Sequence, residues 1–199
     1  MRVATISRKT NETDIFAKLN LDGTGTFQAD IPVGFFEHML SQVVRHGFFD
    51  LELKATGDTH IDGHHTIEDV GITLGQALTQ AIGDKKGIRR YGSATVPMDD
   101  ALVMCAIDLS GRPYLHMDAL SKEAIFTTPR LGDMDTELVR EFFQAICANG
   151  GMNLHIKLLH GENNHHIAEA IFKAFGRALC EAVSADPRVQ GVLSTKGTI

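Results

Sequence analysis

Two stretches of this chain are copies of one another, and that duplication limits its possible folds more than any other feature. His64-His65-Thr66-Ile67-Glu68 and His165-His166-Ile167-Ala168-Glu169 repeat a His-His-x-x-Glu pattern 101 residues apart in a chain of 199. The match continues downstream as Gly75 with Gly176, Ala77 with Ala178 and Leu78 with Leu179. Upstream, Leu51-Glu52-Leu53-Lys54-Ala55 aligns with Met152-Asn153-Leu154-His155-Ile156, both alternating as half-buried strands do. With one two-residue gap, His38-Met39-Leu40 falls on Glu141-Phe142-Phe143. The expected hairpin turn Asp22-Gly23 then falls on Ser110-Gly111, which sets Glu12 against Asp100. A unit of about 90 to 100 residues is too long for a solenoid repeat. A duplicated α/β half-domain suits it, with halves at 1–92 and 93–199.

Each half predicts the same order of elements. A strand hairpin (2–8 and 12–21; 92–97 and 101–109) precedes a helix (34–46; 135–149), a strand (51–56; 152–158) and a longer helix (63–83; 164–184). Asp62 and Asn163 are placed to cap the long helices, and Gly83 to end the first. Val70, Leu74 and Leu78 form an apolar stripe on one long helix; Ile171, Phe175 and Leu179 form it on the other. No linker separates the halves, so they are expected to pack as one unit.

The repeated motif carries metal-ligand chemistry. Glu68 follows His64 by four residues and His65 by three, and Glu169 follows His165 and His166 likewise, so each set shares one helix face. Adjacent histidines splay about 100° around a helix, which suits two different ions better than chelation of one. Two such motifs packed together would form a dinuclear centre, with His38 and Glu141 as the matched extra ligands. Nitrogen and carboxylate ligands without thiolate suit manganese, iron or zinc, and a six-coordinate oxygen-rich site leans towards Mn2+. His46, His60, His116, His155 and His160 lack this pairing and read as surface or hydrogen-bonded residues.

Composition removes other classes. A net charge of −6 argues against nucleic acid as a partner. Three widely spaced cysteines without CxxC argue against a disulfide framework and for a reducing cytoplasm. The longest apolar run, Ala101 to Ile107, is far short of the ~20 residues that cross a membrane. The N-terminal residues show no secretory apolar segment.

Further motifs then come into view: Arg8-Lys9-Thr10-x-Glu12-Thr13, Phe36-Glu37-His38-Met39-Leu40, Gly57-Asp58-x-x-Ile61-Asp62-x-His64-His65-Thr66-x-Glu68-Asp69 and Arg90-Tyr91-Gly92. They continue with Asp108-Leu109-Ser110-Gly111-Arg112-Pro113-Tyr114-Leu115, Asn164-His165-His166-x-x-Glu169-x-x-Phe172-Lys173-Ala174-Phe175 and Ser194-Thr195-Lys196-Gly197. With these motifs, in this order over nearly the whole chain, the sequence resembles the imidazoleglycerol-phosphate dehydratases. The resemblance implies an α/β (α+β) fold of two duplicated halves, each a four-stranded sheet packed against two helices, of the ribosomal protein S5 domain 2-like kind. It implies two Mn2+ ions per active site and a homo-oligomer of 24 subunits with active sites at subunit interfaces. It implies dehydration of imidazoleglycerol phosphate to imidazoleacetol phosphate in histidine biosynthesis, by an enzyme without the phosphatase domain fused to it in some bacteria. Some members carry His where this chain has Glu141.

The implied reaction removes a proton that no carbonyl acidifies. An imidazole ring held between two metals would become imidazolate and expel the hydroxyl through a diazafulvene-like species. Glu12 is carried over by the resemblance as the first acid/base candidate; Glu169 could share that role, and Asp108 is a weaker choice. Arg90, Arg112, Lys173, Ser194 and Lys196 are the candidates for the substrate phosphate. Lys173, four residues after Glu169, could instead form an ion pair with it. Two other readings stay open: a dinuclear metallohydrolase and a metal-storage protein. Storage would leave Arg90, Arg112 and Lys196 without a purpose.

Overall fold

The computed structural model describes residues 1–120 and 122–199. The first half contains β1 (Val3–Lys9), β2 (Thr13–Asn20), β3 (Phe27–Asp30), α1 (Gly34–Gly47), β4 (Asp50–Gly57) and α2 (His64–Ile82). The second contains β5 (Tyr91–Met98), β6 (Ala101–Asp108), β7 (Tyr114–Ala119), the short ribbon β8 (Arg130–Leu131) and β9 (Met134–Asp135), α3 (Glu137–Gly150), β10 (Asn153–His160) and α4 (Asn164–Val183). The sheets have matching orders, β1-β2-β4-β3 and β5-β6-β10-β7. Each has one parallel pair, β3 with β4 and β7 with β10.

The Asp22-Gly23 and Ser110-Gly111 turns differ from expectation. They close no hairpin, because β4 lies between β2 and β3, and β10 between β6 and β7. The carboxylate of Asp50 shapes the first turn by accepting from the backbone N–H of Thr24 and Thr26 at 2.8 and 3.0 Å. Those bonds, with Asn20, hold its pKa down to about 2. Asp62 is not the capping residue of α2: the helix starts after Gly63, although Asp62 still accepts the His64 N–H at 2.8 Å. Asn163 caps α4 and accepts from His165 and His166 N–H. Gly83, at φ +67°, ends α2 as expected.

The two sheets sandwich the helices. α2 lies on β1 and β2, and α4 on β5 and β6. Each long helix also packs against the short helix of the other half, α2 on α3 and α4 on α1. These crossings need matched small residues. A Cβ on Gly75 would stand 2.9 Å from Ile146 O, and one on Gly176 would stand 2.6 Å from Val43 O. The helices therefore touch backbone to backbone at corresponding points. Phe36, Phe142, Phe143, Phe172 and Phe175, from α1, α3 and α4, form a buried aromatic cluster at the centre. Burying each such ring stabilises the fold by roughly 1.5–3 kcal/mol before entropy is counted.

All four helix N-termini gather at one end. Gly63, before α2, lies against Val33 and Leu138. Gly34 and Phe35 N–H of α1 donate to Asp133, just before α3. Asn164 of α4 bonds Thr127 and Thr128, and Thr136 reaches the Thr128 carbonyl. The two histidine motifs thus open from the same end of the molecule. Among the described residues, no helix is long and apolar enough to cross a membrane.

Candidate metal centre and anion cavity

Starting helices at the histidine pairs splays the adjacent rings. His64 and His65 meet at 83°, and His165 and His166 at 85°. The first His of the second motif faces α1. Glu169 Oε2 lies 3.3 Å from His165 Nε2 and 3.4 Å from His38 Nε2. The three can offer ligating atoms all within 4.8 Å of one another. Burial pushes the Glu169 carboxyl up, but Lys173 at 2.6 Å, with His38 and His165, leaves it below the ordinary carboxylate value.

The second His of each motif is held from behind. His65 Nδ1 bonds Asp58 at 2.9 Å, and His166 Nδ1 bonds Asp100 at 2.5 Å. Fixing Nδ1 this way turns Nε2 outward as the ligating nitrogen, and that of His166 has the Asp99 carboxylate 3.5 Å away. The Asp58 bond raises the His65 pKa and lowers that of Asp58. Asp100 is held far below the carboxylate range by the Asn163 N–H, then by His166 and by the Glu162 N–H. Glu12, from the β1–β2 turn, stands 3.8 Å from His65 Nδ1, and Glu12, Asp58 and His65 form a second group able to hold a cation.

The donor chemistry fits divalent ions. Imidazole nitrogens and carboxylates converge without thiolate, and Asp58 Oδ1 is buried with no hydrogen-bond partner. His64, Glu68 and Glu141 correspond to His165, Glu169 and His38 across the repeat, on the packed helices α2 and α3. Among the described residues they do not close into a group at ligating distance. Among the described residues, no group at ligating distance joins the two motifs.

The expected phosphate residues divide. Arg90, Arg112, Ser194 and Lys196 line a cavity of about 890 Å3 with the C-terminal segment. Arg90 is committed there: it grips Asp108 in a fork at 2.6 and 3.0 Å and donates to Leu193 O at 2.7 Å. Asp108 is thus Arg90's counter-ion, at the far end of β6 from the histidines. Arg112 and Lys196 have no carboxylate partner among the described residues. Lys173 lies elsewhere, paired with Glu169 and touching Met98 Sδ.

The cavity and the histidines lie at opposite ends of α4. Arg90 N–H bonds Ala182 O, sixteen residues after His166, or about 24 Å along a helix. The strand ruler agrees: eight residues separate Asp100 from Asp108, or roughly 26 Å.

Sequence reasoning assigned no role to Asp58, Asp99 or Asp100, nor to Asp133 at α1. Asp100 had one usable signal, its alignment with Glu12 across the repeat.

Comparison with known proteins agrees with this architecture. The family model described as imidazoleglycerol-phosphate dehydratase matches residues 31–179. The Staphylococcus aureus N315 crystal structure of that name superposes with a TM-score of 0.81 at 38% identity, covering 92% of this chain and 99% of that one. The Pyrococcus furiosus structure, in complex with (S)-C348, gives 0.81 at 34%, covering 98% and 100%. The family match thus defines an enzyme of the hydro-lyase class. Among curated relatives, the dehydratase of Lachnoclostridium phytofermentans is 60% identical over 198 residues, covering 100% of this chain and 98% of the relative. That of Acetivibrio thermocellus is 58% identical over 194 residues, covering 98% and 97%. The chain belongs to the imidazoleglycerol-phosphate dehydratase family, which serves histidine biosynthesis.

Proposed function

We propose that the chain converts imidazoleglycerol phosphate to imidazoleacetol phosphate with two Mn2+ ions per site. The observation that carries the metal reading is the convergence of His38, His165 and Glu169 from two helices onto one point. His65 and His166, each oriented through Nδ1, would supply further nitrogens, with His64, Glu68 and Glu141 completing the sets. Bound ions would supply Lewis-acid stabilisation of the substrate's imidazole ring. The chain's own side chains do the rest. Elimination takes the hydroxyl from the carbon bearing the ring and the hydrogen from its neighbour, and the resulting enol becomes the ketone. Glu12, whose carboxylate makes no hydrogen bond among the described residues and stands 3.8 Å from His65 Nδ1, carries that proton. Glu169, pinned by Lys173, is a ligand and not a second proton carrier. Asp108 holds Arg90. Arg112, Ser194 and Lys196 receive the phosphate, while Arg90 builds the cavity wall.

A substrate of roughly 10 Å, from ordinary bond lengths, cannot bridge the ~24 Å between one chain's cavity and its histidines. This supports a site shared between copies, as in the 24-subunit assembly expected for the family, working in the cytoplasm. The cationic cavity also speaks against metal storage alone. The assay supplies manganese-loaded protein with imidazoleglycerol phosphate and follows the ketone. Absence of product with bound metal confirmed would overturn the reading, and turnover of simple phosphate esters instead would favour a hydrolase.

A further inference from the structure

The β1–β2 turn that carries Glu12 is tied to helix α2 by a chain of polar groups that none of the assigned roles uses. Asp69, next to Glu68 on α2, is 7% exposed, and Thr13 is 4% exposed. Asp69 Oδ1 accepts from Arg8 Nε at 2.9 Å, and Asp69 Oδ2 accepts from the Thr13 hydroxyl. Thr13 and Thr10 hydroxyls lie 3.1 Å apart. A hydroxyl has one proton to give and a carboxylate has none, so the order is fixed. Thr13 donates to Asp69, Thr10 donates to Thr13, and Thr10 Oγ accepts the N–H of Glu12 at 3.1 Å and of Thr13 at 3.0 Å. The Glu12 backbone is thus joined by consecutive hydrogen bonds to the helix that presents His64, His65 and Glu68.

The second half provides an internal control. The positions matching Arg8, Thr13 and Asp69 are Val96, Ala101 and Ala170, all buried and apolar. The fold therefore needs no polar chain there. Its β5–β6 turn is anchored in another way. Asp100, the counterpart of Glu12, takes the N–H of Glu162 at 2.7 Å and of Asn163 at 3.0 Å, as well as His166. In the second half the turn carboxylate is spent as the clamp. In the first half the clamp sits beneath the turn, and the Glu12 carboxylate, 3.8 Å from His65 Nδ1, is not spent on holding the turn.

We infer that the Arg8–Asp69–Thr13–Thr10 chain is a positioning device that holds the Glu12 turn against α2, so that the Glu12 carboxylate is free to move the substrate proton. This rests on Glu12 being the proton carrier, and the experiment separates the two claims. The full-length, manganese-loaded protein is compared as wild type, Arg8→Val/Thr13→Ala/Asp69→Ala (the second half's own residues), Glu12→Gln, and all four changes together. The triple variant is expected to keep its melting behaviour, metal content and KM within about twofold, while kcat falls roughly 10- to 100-fold from the misplaced carboxylate. Glu12→Gln is expected to lower kcat by roughly 10²- to 10⁴-fold, and adding the triple change should lower it no further. Thr13→Val, which removes one hydroxyl at constant shape, covers the case in which the triple variant does not fold, and should lower kcat in the same direction. Unchanged kcat in the triple variant, or in Thr13→Val where that variant replaces it, beside an inactive Glu12→Gln, would overturn the positioning role and leave the proton role standing. Wild-type kcat in Glu12→Gln would overturn both. A further loss on adding the triple change to Glu12→Gln would make the network general scaffolding and overturn the proposal.

Discussion

Two inactive variants of this chain should rescue one another, because the parts they lack lie at opposite ends of α4. The first variant, Arg112→Ala/Lys196→Ala, empties the cavity of its two unpaired cations. Losing a hydrogen bond to a charged group costs about 1.5–3 kcal/mol, so the pair costs roughly 3–6 kcal/mol, or 10²- to 10⁴-fold in kcat/KM. The second variant, His165→Ala, removes a nitrogen that lies 3.3 Å from Glu169. Sixteen helical steps separate the histidine end from the cavity. A site needing both must draw them from different chains. In assemblies of equal parts of the two variants, about one quarter of sites receive both intact contributions, following random assortment in a closed symmetric oligomer. Co-expression, with mixed composition checked by native mass spectrometry, should therefore restore about a quarter of wild-type turnover. His165→Ala mixed with Glu169→Ala should restore none, since both lesions fall on the same end of one chain. Mixed assemblies no more active than the sum of the parents would refute the shared site and place cavity and histidines in separate functions.

Other consequences concern stability. A Cβ on Gly92 would overlap the carbonyl oxygen of Ala178 and stand 2.7 Å from Ala182 N, so Gly92→Ala should push β5 off α4. Both obstacles are backbone, so a cost of about 3 kcal/mol is expected in urea unfolding. Asn163→Ala removes two capping bonds and should cost about 1 kcal/mol by the same measurement, with weaker metal retention at His165 and His166. Asp50 has its carboxyl lowered from an ordinary 3.8 to about 2, so it binds a proton more readily in the unfolded chain. Its contribution is then present above pH 4 and lost as pH falls towards 2. The stability gap between wild type and Asp50→Ala should close over that window; a gap that stays constant would remove the turn carboxylate from the balance.

The repeat made most of the architecture legible from sequence. Helices α1 to α4 and strands β4 and β10 fall within a few residues of their expected positions, because the apolar period and the duplicated motif speak twice for each. β3 and β7 were seen only through the family resemblance. β3 has only four residues and is too short to stand out, whereas β7 alternates Leu115, Met117 and Ala119 with Tyr114, His116 and Asp118 and is legible as a strand. The site was legible as residue types and less so as partners. His38, His165 and Glu169 meet as the repeat suggests, since i and i+4 share a face and α1 crosses that face. The carboxylate behind His166 comes from a distant turn and shows in sequence only through the alignment of Asp100 with Glu12, while Asp58 lies seven residues before His65 in the loop that leads into α2, at no helical spacing. Lys173 looked like an anion ligand by charge alone; its distance to Glu169 follows from helix geometry, which the sequence also contained.

The exchange of helices between halves has a consequence for how such a chain could have arisen. Each half covers its long helix with the partner's short one, at the matched contacts of Gly75 and Gly176. A lone half would leave that helix face bare, yet a second identical copy would cover it through the same pair of contacts. Within one polypeptide the chain thus makes the pair of contacts that a symmetric dimer of half-length chains would make. The two halves need not then use their turns alike: Asp100 clamps the β5–β6 turn, while Glu12 on the β1–β2 turn stays exposed.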